Sequence, residues 1–451
     1  MSEVTTDMTV VETRTAAELA IARNFEAVAA RLPGDGDVRR EAIARFGAVG
    51  LPHRRIEEWK YTDVRNALKV AFAPAERGGL SVAEAAVEQA LGPFAALDAH
   101  RLVLVDGYFA PELSRLEGAR GRVSVQARSE AIVVAQPRAS RSAGSDGVLA
   151  LNDAFVTDGA VVRIGASPEK PILLVFLARA AAPAMIATRN LVEVDAGVSA
   201  QVIEVHARLG AAALQSSAVT SVRLGREVAL VHVKVLNEGS TATHLSQCNV
   251  EVGGSAAYNA FQLTAGAGLA RNETHVDFTG PDAKIDISGA MLGRGADHID
   301  TTLVINHSTL SCESREHFKA VLDDRARAVF QGKVIVEAEA QLTDGKQMAQ
   351  ALMLSPDCEF DSKPELEIYA DDVACGHGST VAEIDADMLF YLRSRGIPLE
   401  EARALIIESF VGEVIEKLDA GPVQEAVAEL ARGWLRQRQI EKRENGGTAN
   451  G

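Results

Sequence analysis

Aromatic side chains make up only 5% of this 451-residue chain, and cysteine occurs four times, at Cys248, Cys312, Cys358 and Cys375, with no Cys-x-x-Cys pair. Few aromatics argue against a stacking platform for single-stranded nucleic acid and for a core of Val, Ile, Leu and Ala. The wide cysteine spacing excludes a zinc ribbon or a dense disulfide framework and suits a reducing compartment. The most apolar run, Pro171–Leu177, is far too short to cross a bilayer. The N-terminal segment lacks a basic stretch followed by an apolar one, so no secretory signal is expected and a cytoplasmic location is. Neither GxxxxGK[ST] nor GxSxG occurs, which removes a P-loop and a nucleophile elbow. Gly253-Gly254 and Gly266-Ala267-Gly268 lie between strand-like segments with no helix following, so they read as turns rather than phosphate cradles. The formal net charge of −16 repels phosphate backbones, and nucleic acid is not an expected partner. The one basic stretch, Arg432–Arg443 with Arg436, Arg438 and Lys442, reads as a solvated, frayed helix end.

What is present is a folded, globular composition, 47% hydrophobic and 24% charged, in a chain too long for one core. Three regions are expected. Residues 1–150 form a helical and mixed region behind a mobile polar tail. Its first helical stripe runs through Leu19, Ala22, Phe25, Val28 and Leu32, breaks at Pro33-Gly34-Asp35-Gly36 and resumes over Val38–Phe46. Ser81 is placed to cap a helix to Leu91, with Glu84 completing a capping box, and Arg101–Val105 reads as a strand before the Asp106-Gly107 turn.

Residues 151–384 change character. Short alternating segments follow one another between Gly, Asp and Asn turns, for example Ala160–Ile164, Asn190–Val194, Glu227–Val235, Lys284–Ile287, Thr302–Ile305 and Glu365–Ile368. Within Glu227–Val235, Val231, Val233 and Val235 share one face, and His232 and Lys234 the other. No amphipathic helix interrupts this stretch, so a stack of short strands, a β-helix, is the economical reading, with a tandem sandwich or double barrel as alternatives. Exact repeats are absent and the number of rungs is not readable. Residues 385–451 turn helical again. Asp385 caps a helix ended by Gly396, Pro398 stands as first residue of the next, and Val423–Arg438 forms a last helix before a disordered tail. The middle helix carries the stripe Leu399, Ala402, Ile406, Phe410, Val414 and Leu418, widened by Val411 and Ile415.

For chemistry, His275, His298, His307 and His317 follow no metal-binding spacing, and no complete metal site is expected within the chain. Cys375-Gly376-His377 stands apart. In a strand the thiol and imidazole face one side, where an imidazolium can lower a thiol pKa and make a nucleophile or soft-metal ligand. Gly376 leaves room for another backbone. The alternative is a buried Cys and a hydrogen-bonded His closing the last rung.

Two blocks carry a resemblance. Arg54-Arg55-Ile56-Glu57-Glu58-Trp59-Lys60-Tyr61-Thr62-Asp63, in which Trp59 and Tyr61 read as packing aromatics, is one. The other is the long run Asp361–Thr380, continued by Leu389–Ile397. Together they resemble the SufD branch of the SufB/SufD family of the SUF iron–sulfur cluster assembly system, from about Ala16 to Leu418. The resemblance implies a right-handed parallel β-helix flanked by helical N- and C-terminal regions, a non-enzymatic scaffold, and a heterodimer with the paralogue SufB. It also implies docking of the ATPase SufC on the C-terminal helices, for which Ile406, Phe410 and Val414 are the candidate contacts. Sulfur donors and downstream carriers would act on the complex indirectly. His377, with Cys375 beside it, is implied to touch a transient cluster at the SufB interface, and the role of a flavin stays open. Members of the SufB branch carry a Glu-His-Glu type strand here and a Cys where this chain has Leu392. One Cys and one His do not fill a cluster's ligand set, so no cluster is expected on this chain alone. A SufB-like cluster-bearing scaffold is the nearest alternative. A β-solenoid enzyme or carbohydrate-binding protein, or a cupin-like metal enzyme, lies further off.

Overall fold

The computed structural model describes residues 14–78, 82–116, 123–127 and 146–447. From His100 onward successive strands mostly alternate between two sheets, one of ten strands and one of nine. Neighbours in each sheet pair in parallel, except for a hairpin at Leu104↔Phe109 and the strand Val123–Ala127 against Ala160–Ile164 at the first end. The fold is mainly β, a parallel β-solenoid of about seven turns with helices at both ends.

The repeat hidden in the sequence is a backbone corner. Gly197, Glu227, Ser255, Asp282, Ser311 and Leu342 all have positive φ and recur roughly 30 residues apart. The N–H of each bonds a carbonyl of the corner above, as in Glu227 to Gly254 and Ser311 to Gln341. A single glycine stands among these residues, so no residue-type signature marks the period. Between the sheets, in-register apolar side chains stack as a ladder: Val162, Val192, Val222, Val250, Val276, Ile305 and Val334. The solenoid begins earlier than residue 151. His100–Val105 pairs in parallel with Ile172–Ala178 and carries Leu102 and Leu104 into the core, because its alternating apolar residues match the ladder.

Helices cover the outside. Ala16–Val28, Gly36–Val49 and Asp146–Phe155 share a core with Trp59 and Ala187. In the first of these Ala17, Ile21 and Phe25 face inward, whereas Leu19 is exposed, so the buried stripe lies one face round from that read through Leu19. Ser81 lies outside the described residues. The helix Glu84–Leu91 starts after Ala83 without a side-chain cap, and Glu84 instead bridges Arg101 and Arg115. At the far end Asp385 caps Ala386–Ser394 through the N–H groups of Asp387 and Met388, and Gly396 has φ 86°. Pro398 is the cap of Leu399–Ile415 rather than its first helical residue. The last helix runs from Pro422 to Gly447 rather than fraying near Arg438, and Arg438 is buried on it against Asp323, whereas Arg436 is solvated as expected. No helix among the described residues is long and apolar enough to cross a membrane.

Candidate functional site

The last two strands, Glu359–Ile368 and Val373–Glu383, are each the edge of their sheet. Pro364, which has no N–H to donate, sits on one of them, as edge strands allow. Val373–Glu383 pairs on one side with Thr343–Met353, setting Cys375 beside Gly345 and His377 beside Gln347. Its odd-numbered side chains therefore continue the interior of the solenoid, but no rung closes over them. Cys375 is half-buried against the core, His377 is exposed, and Val381 is 56% exposed. A Cβ on Gly376 would meet nothing within 4 Å, so among the described residues no backbone comes close to that glycine.

Behind His377 runs one interior register: His232, Ala260, Ile287, Glu316, Gln347, His377. Glu316 and Gln347 are fully buried, and their side-chain oxygens have no hydrogen-bond partner. Burial pushes the Glu316 carboxyl up to about 8, so it holds its proton at neutrality. Gly345 makes room in the neighbouring register, where a Cβ would stand 3.4 Å from Ser314 Oγ and 3.6 Å from Cys375 Sγ. The Cys375 thiol is also pushed up, by burial first, against a lowering hydrogen bond from the Gly345 backbone, with the carboxyls of Asp344 and Glu316 adding to the rise. The expected activation by a neighbouring imidazolium is thus reversed: this thiol is protonated at neutral pH and a poor nucleophile. Of the other cysteines, Cys248 is pushed up to about 12 by burial, and Cys312 and Cys358 are buried.

The C-terminal stripe is mostly spent on the chain's own sheet. Val414 is 0% exposed and packs with Ile407, Val411 and Ile415 over Phe261, Val321 and Leu352. Phe410 is half-buried, with Lys319 Nζ 4.3 Å from its ring centroid, and Ile406 is half-buried too. Val414 therefore does not offer itself for docking, because the helix rotates its Ile407/Val411/Val414 face to the sheet. The exposed apolar groups nearby are Leu405 and, on the preceding helix, Met388, Phe390 and Tyr391. Of these, Leu405 lines a groove of 430 Å³ between the C-terminal helices, together with Pro398, Leu435 and Arg436 among others.

The N-terminal block is a clamp on the outer face of the nine-stranded sheet. Trp59 is 2% exposed, and the Arg271 guanidinium lies 4.0 Å from its ring centroid. Arg271 is bound to Asp300 at 2.5 Å and to Glu273 at 3.3 Å, Thr62 donates to Asp300, and Lys363 meets Glu57 at 2.6 Å. The packing role read for Trp59 holds, and Tyr61 is half-exposed. Sequence reasoning missed a second polar cluster, His206, Glu238 and His244, whose ligand atoms lie within 4.8 Å of one another inside the early rungs. They stand on two strands and a turn, so no spacing rule could pair them.

The geometry defines a class, a parallel β-solenoid closed by helices on its flanks and left open at its last rung. Residues 176–410 match the family model "SUF system FeS cluster assembly, SufBD core domain", and residues 35–172 match the "SufBD protein N-terminal region". The chain is 31% identical over 398 residues to the iron–sulfur cluster assembly protein SufD of Escherichia coli, covering 85% of this chain and 89% of that one. It is 30% identical over 406 residues to an iron–sulfur cluster assembly SufBD family protein of Synechocystis, covering 86% and 88%. A SufD of Bacillus subtilis is 35% identical over 133 residues, 30% of each chain. This chain belongs to the SufB/SufD family and is a SufD homologue.

Proposed function

We propose that this chain is the SufD-type subunit of a cytoplasmic scaffold that assembles iron–sulfur clusters, and that its last rung is the seam with a SufB-type partner. One observation carries the reading: among the described residues both sheets end on unpaired edges, and the interior register surfaces there at His377. An exposed strand edge is a template for another chain's backbone, and monomeric proteins normally cover it. Here Tyr369, 65% exposed, Ile368 and Val381 stand uncovered beside it. A second solenoid docked on this rung would extend the ladder and enclose Cys375 and His377. His377 would then offer one imidazole to a nascent cluster, which is cargo of the complex rather than a cofactor of this chain. The remaining ligands would come from the partner, and Cys375, protonated and turned inward, would rank behind His377. A SufC-type ATPase would dock on the C-terminal helices through Leu405, Phe390 and Tyr391, with Ile406 and Phe410 at the margin. ATP hydrolysis would belong to that partner, and the chain itself would be no enzyme.

The test is co-expression with SufB and SufC partners, followed by affinity capture and anaerobic absorption spectra. His377→Ala is expected to leave the complex intact and lower its cluster content several-fold. Unchanged cluster content in the variant complex would remove His377 from the assembly site. Failure of the wild-type chain to capture either partner would remove the seam.

A further inference from the structure

Inside the early rungs a band of polar side chains interrupts the apolar interior face of the ten-stranded sheet. Glu204 and His206 on Ser199–Arg208, and His232 and Lys234 on Ala229–Asn237, all project inward. Across from them stand Ser216 on Leu214–Leu224 and His244 on Gly239–Val252, with Glu238 in the turn before the latter. His206, Glu238 and His244 are each at most 3% exposed.

Their geometry is that of a donor set. His244 Nδ1 lies 3.2 Å from Glu238 Oε2 and 2.8 Å from Ser216 Oγ, and Ser216 Oγ donates to Glu238 at 2.7 Å. The His206 ring stacks on Phe176 at 4.5 Å and meets His244 edge-on at 4.9 Å. His206 Nε2 is buried without a hydrogen-bond partner, its nearest carboxylate oxygen, Glu204 Oε2, being 3.5 Å away. A buried polar atom left unpaired costs about 1–3 kcal/mol, so an unpaired imidazole nitrogen beside a second imidazole and a carboxylate requires a reason. His206, Ser216 and Glu238 also line a 20 Å³ cavity, room for a single water or ion.

We propose that His206, Glu238 and His244 form a buried site for one divalent transition-metal cation, zinc or ferrous iron, with Ser216 or a water in the fourth position. Two imidazoles and a carboxylate with an open place are a donor set these cations take. In a tetrahedral site with bonds of about 2.0–2.1 Å, donors stand about 3.3 Å apart, close to the observed separation of His244 and Glu238. Bringing His206 within that range needs only a small ring displacement from the present 4.8 Å limit. His244 Nε2 is taken by Lys234 Nζ at 3.3 Å, which leaves Nδ1, the nitrogen that faces Glu238 and Ser216, for the cation. The site is distinct from His377, which lies six strands along the same sheet, roughly 29 Å at ~4.8 Å per strand. Its role would be to fasten the early rungs, where the polar interior replaces the apolar ladder.

The experiment uses the full-length chain freed of metal by a chelator and titrated with Co(II) alone. Expected are tetrahedral visible absorption bands saturating at one equivalent, displacement by Zn(II), and a rise in melting temperature with metal. His377→Ala should bind Co(II) as the wild type does, which separates this site from the proposed cluster seam. Glu238→Gln and His206→Gln should each weaken binding at least tenfold. Should Glu238→Gln not fold, His206→Gln, which gives up only the 3.5 Å contact of Nε2 with Glu204, decides alone. Absence of Co(II) bands and of any melting shift in the wild type, or undiminished binding by a folded His206→Gln, would show a plain hydrogen-bonded network and overturn the proposal.

Discussion

The middle rungs and the last rung are built from the same side-chain register yet differ in what covers them. In the middle, Ile305 and Val334 sit in the ladder with neighbours above and below, and are buried. At the end, Leu366 occupies the next position of that ladder and is only partly buried, while His377 and Val381 continue the interior into open space. A solenoid has no intrinsic stop: each rung satisfies the backbone of the one before and exposes its own. Capping the flanks with helices and leaving the last rung bare makes that rung the natural place for another chain.

The sharpest way to break the closed region is to orphan a buried charge. Arg271→Leu removes the partner of Asp300 and Glu273 and the cation stacked on Trp59. It should cost about 3–5 kcal/mol in urea unfolding, since an uncompensated buried carboxylate remains. A loss under about 1 kcal/mol would mean that the N-terminal clamp is not held through this group.

The comparison itself is tested by paired truncations. Ile305→Ala should cost about 3 kcal/mol in the isolated chain, and Leu366→Ala only about 1 kcal/mol, because the open rung can relax and is already wetted. With a SufB-type partner bound, the gap should narrow. Equal costs in the isolated chain would mean that the last rung is closed in solution.

Glu316 should act in the opposite direction. Burial pushes its carboxyl up to about 8 in the folded protein, against an ordinary 4.5. Because the folded pKa is the higher one, the contribution of this group to stability is most favourable below about 4.5 and falls as pH rises, levelling above about 8. At pH 7 the loss is about 3 kcal/mol, and Glu316→Gln should recover much of it while flattening melting temperature between pH 5 and 8. A variant that keeps the wild-type slope would place the titration elsewhere. The smallest effect is expected at the rim: Cys375→Ser should change stability by less than about 1 kcal/mol, and alkylation of the native thiol should be slow at neutral pH. Rapid alkylation would show a thiolate that the burial of Cys375 does not allow.

The alternating segments, the Asp385 cap, the Gly396 stop and the packing of Trp59 were all legible, because each depends on local backbone preference or on one side chain's size. Leu19 misled because helical periodicity fixes a stripe's width better than its phase, and Ala17 and Ile21, not Leu19 and Ala22, lead the buried face to Phe25. Val414 misled in the same way, since an apolar stripe does not say whether the sheet or a partner covers it. The rung period escaped because positive-φ corners at Glu227, Ser255, Asp282 and Ser311 use four residue positions and three residue types.

By itself, then, the sequence determined a stack of short strands between helical ends and put Cys375 and His377 on one side of one strand. Those follow from period-two alternation and from caps, which act within a few residues. Only the tertiary structure decided that His377 stands open at the rim, that Cys375 stays protonated beside Glu316, and that His206, Glu238 and His244 meet. These depend on which strand lies beside which and on how much water reaches them, properties of the stacked rungs that no short stretch of chain carries.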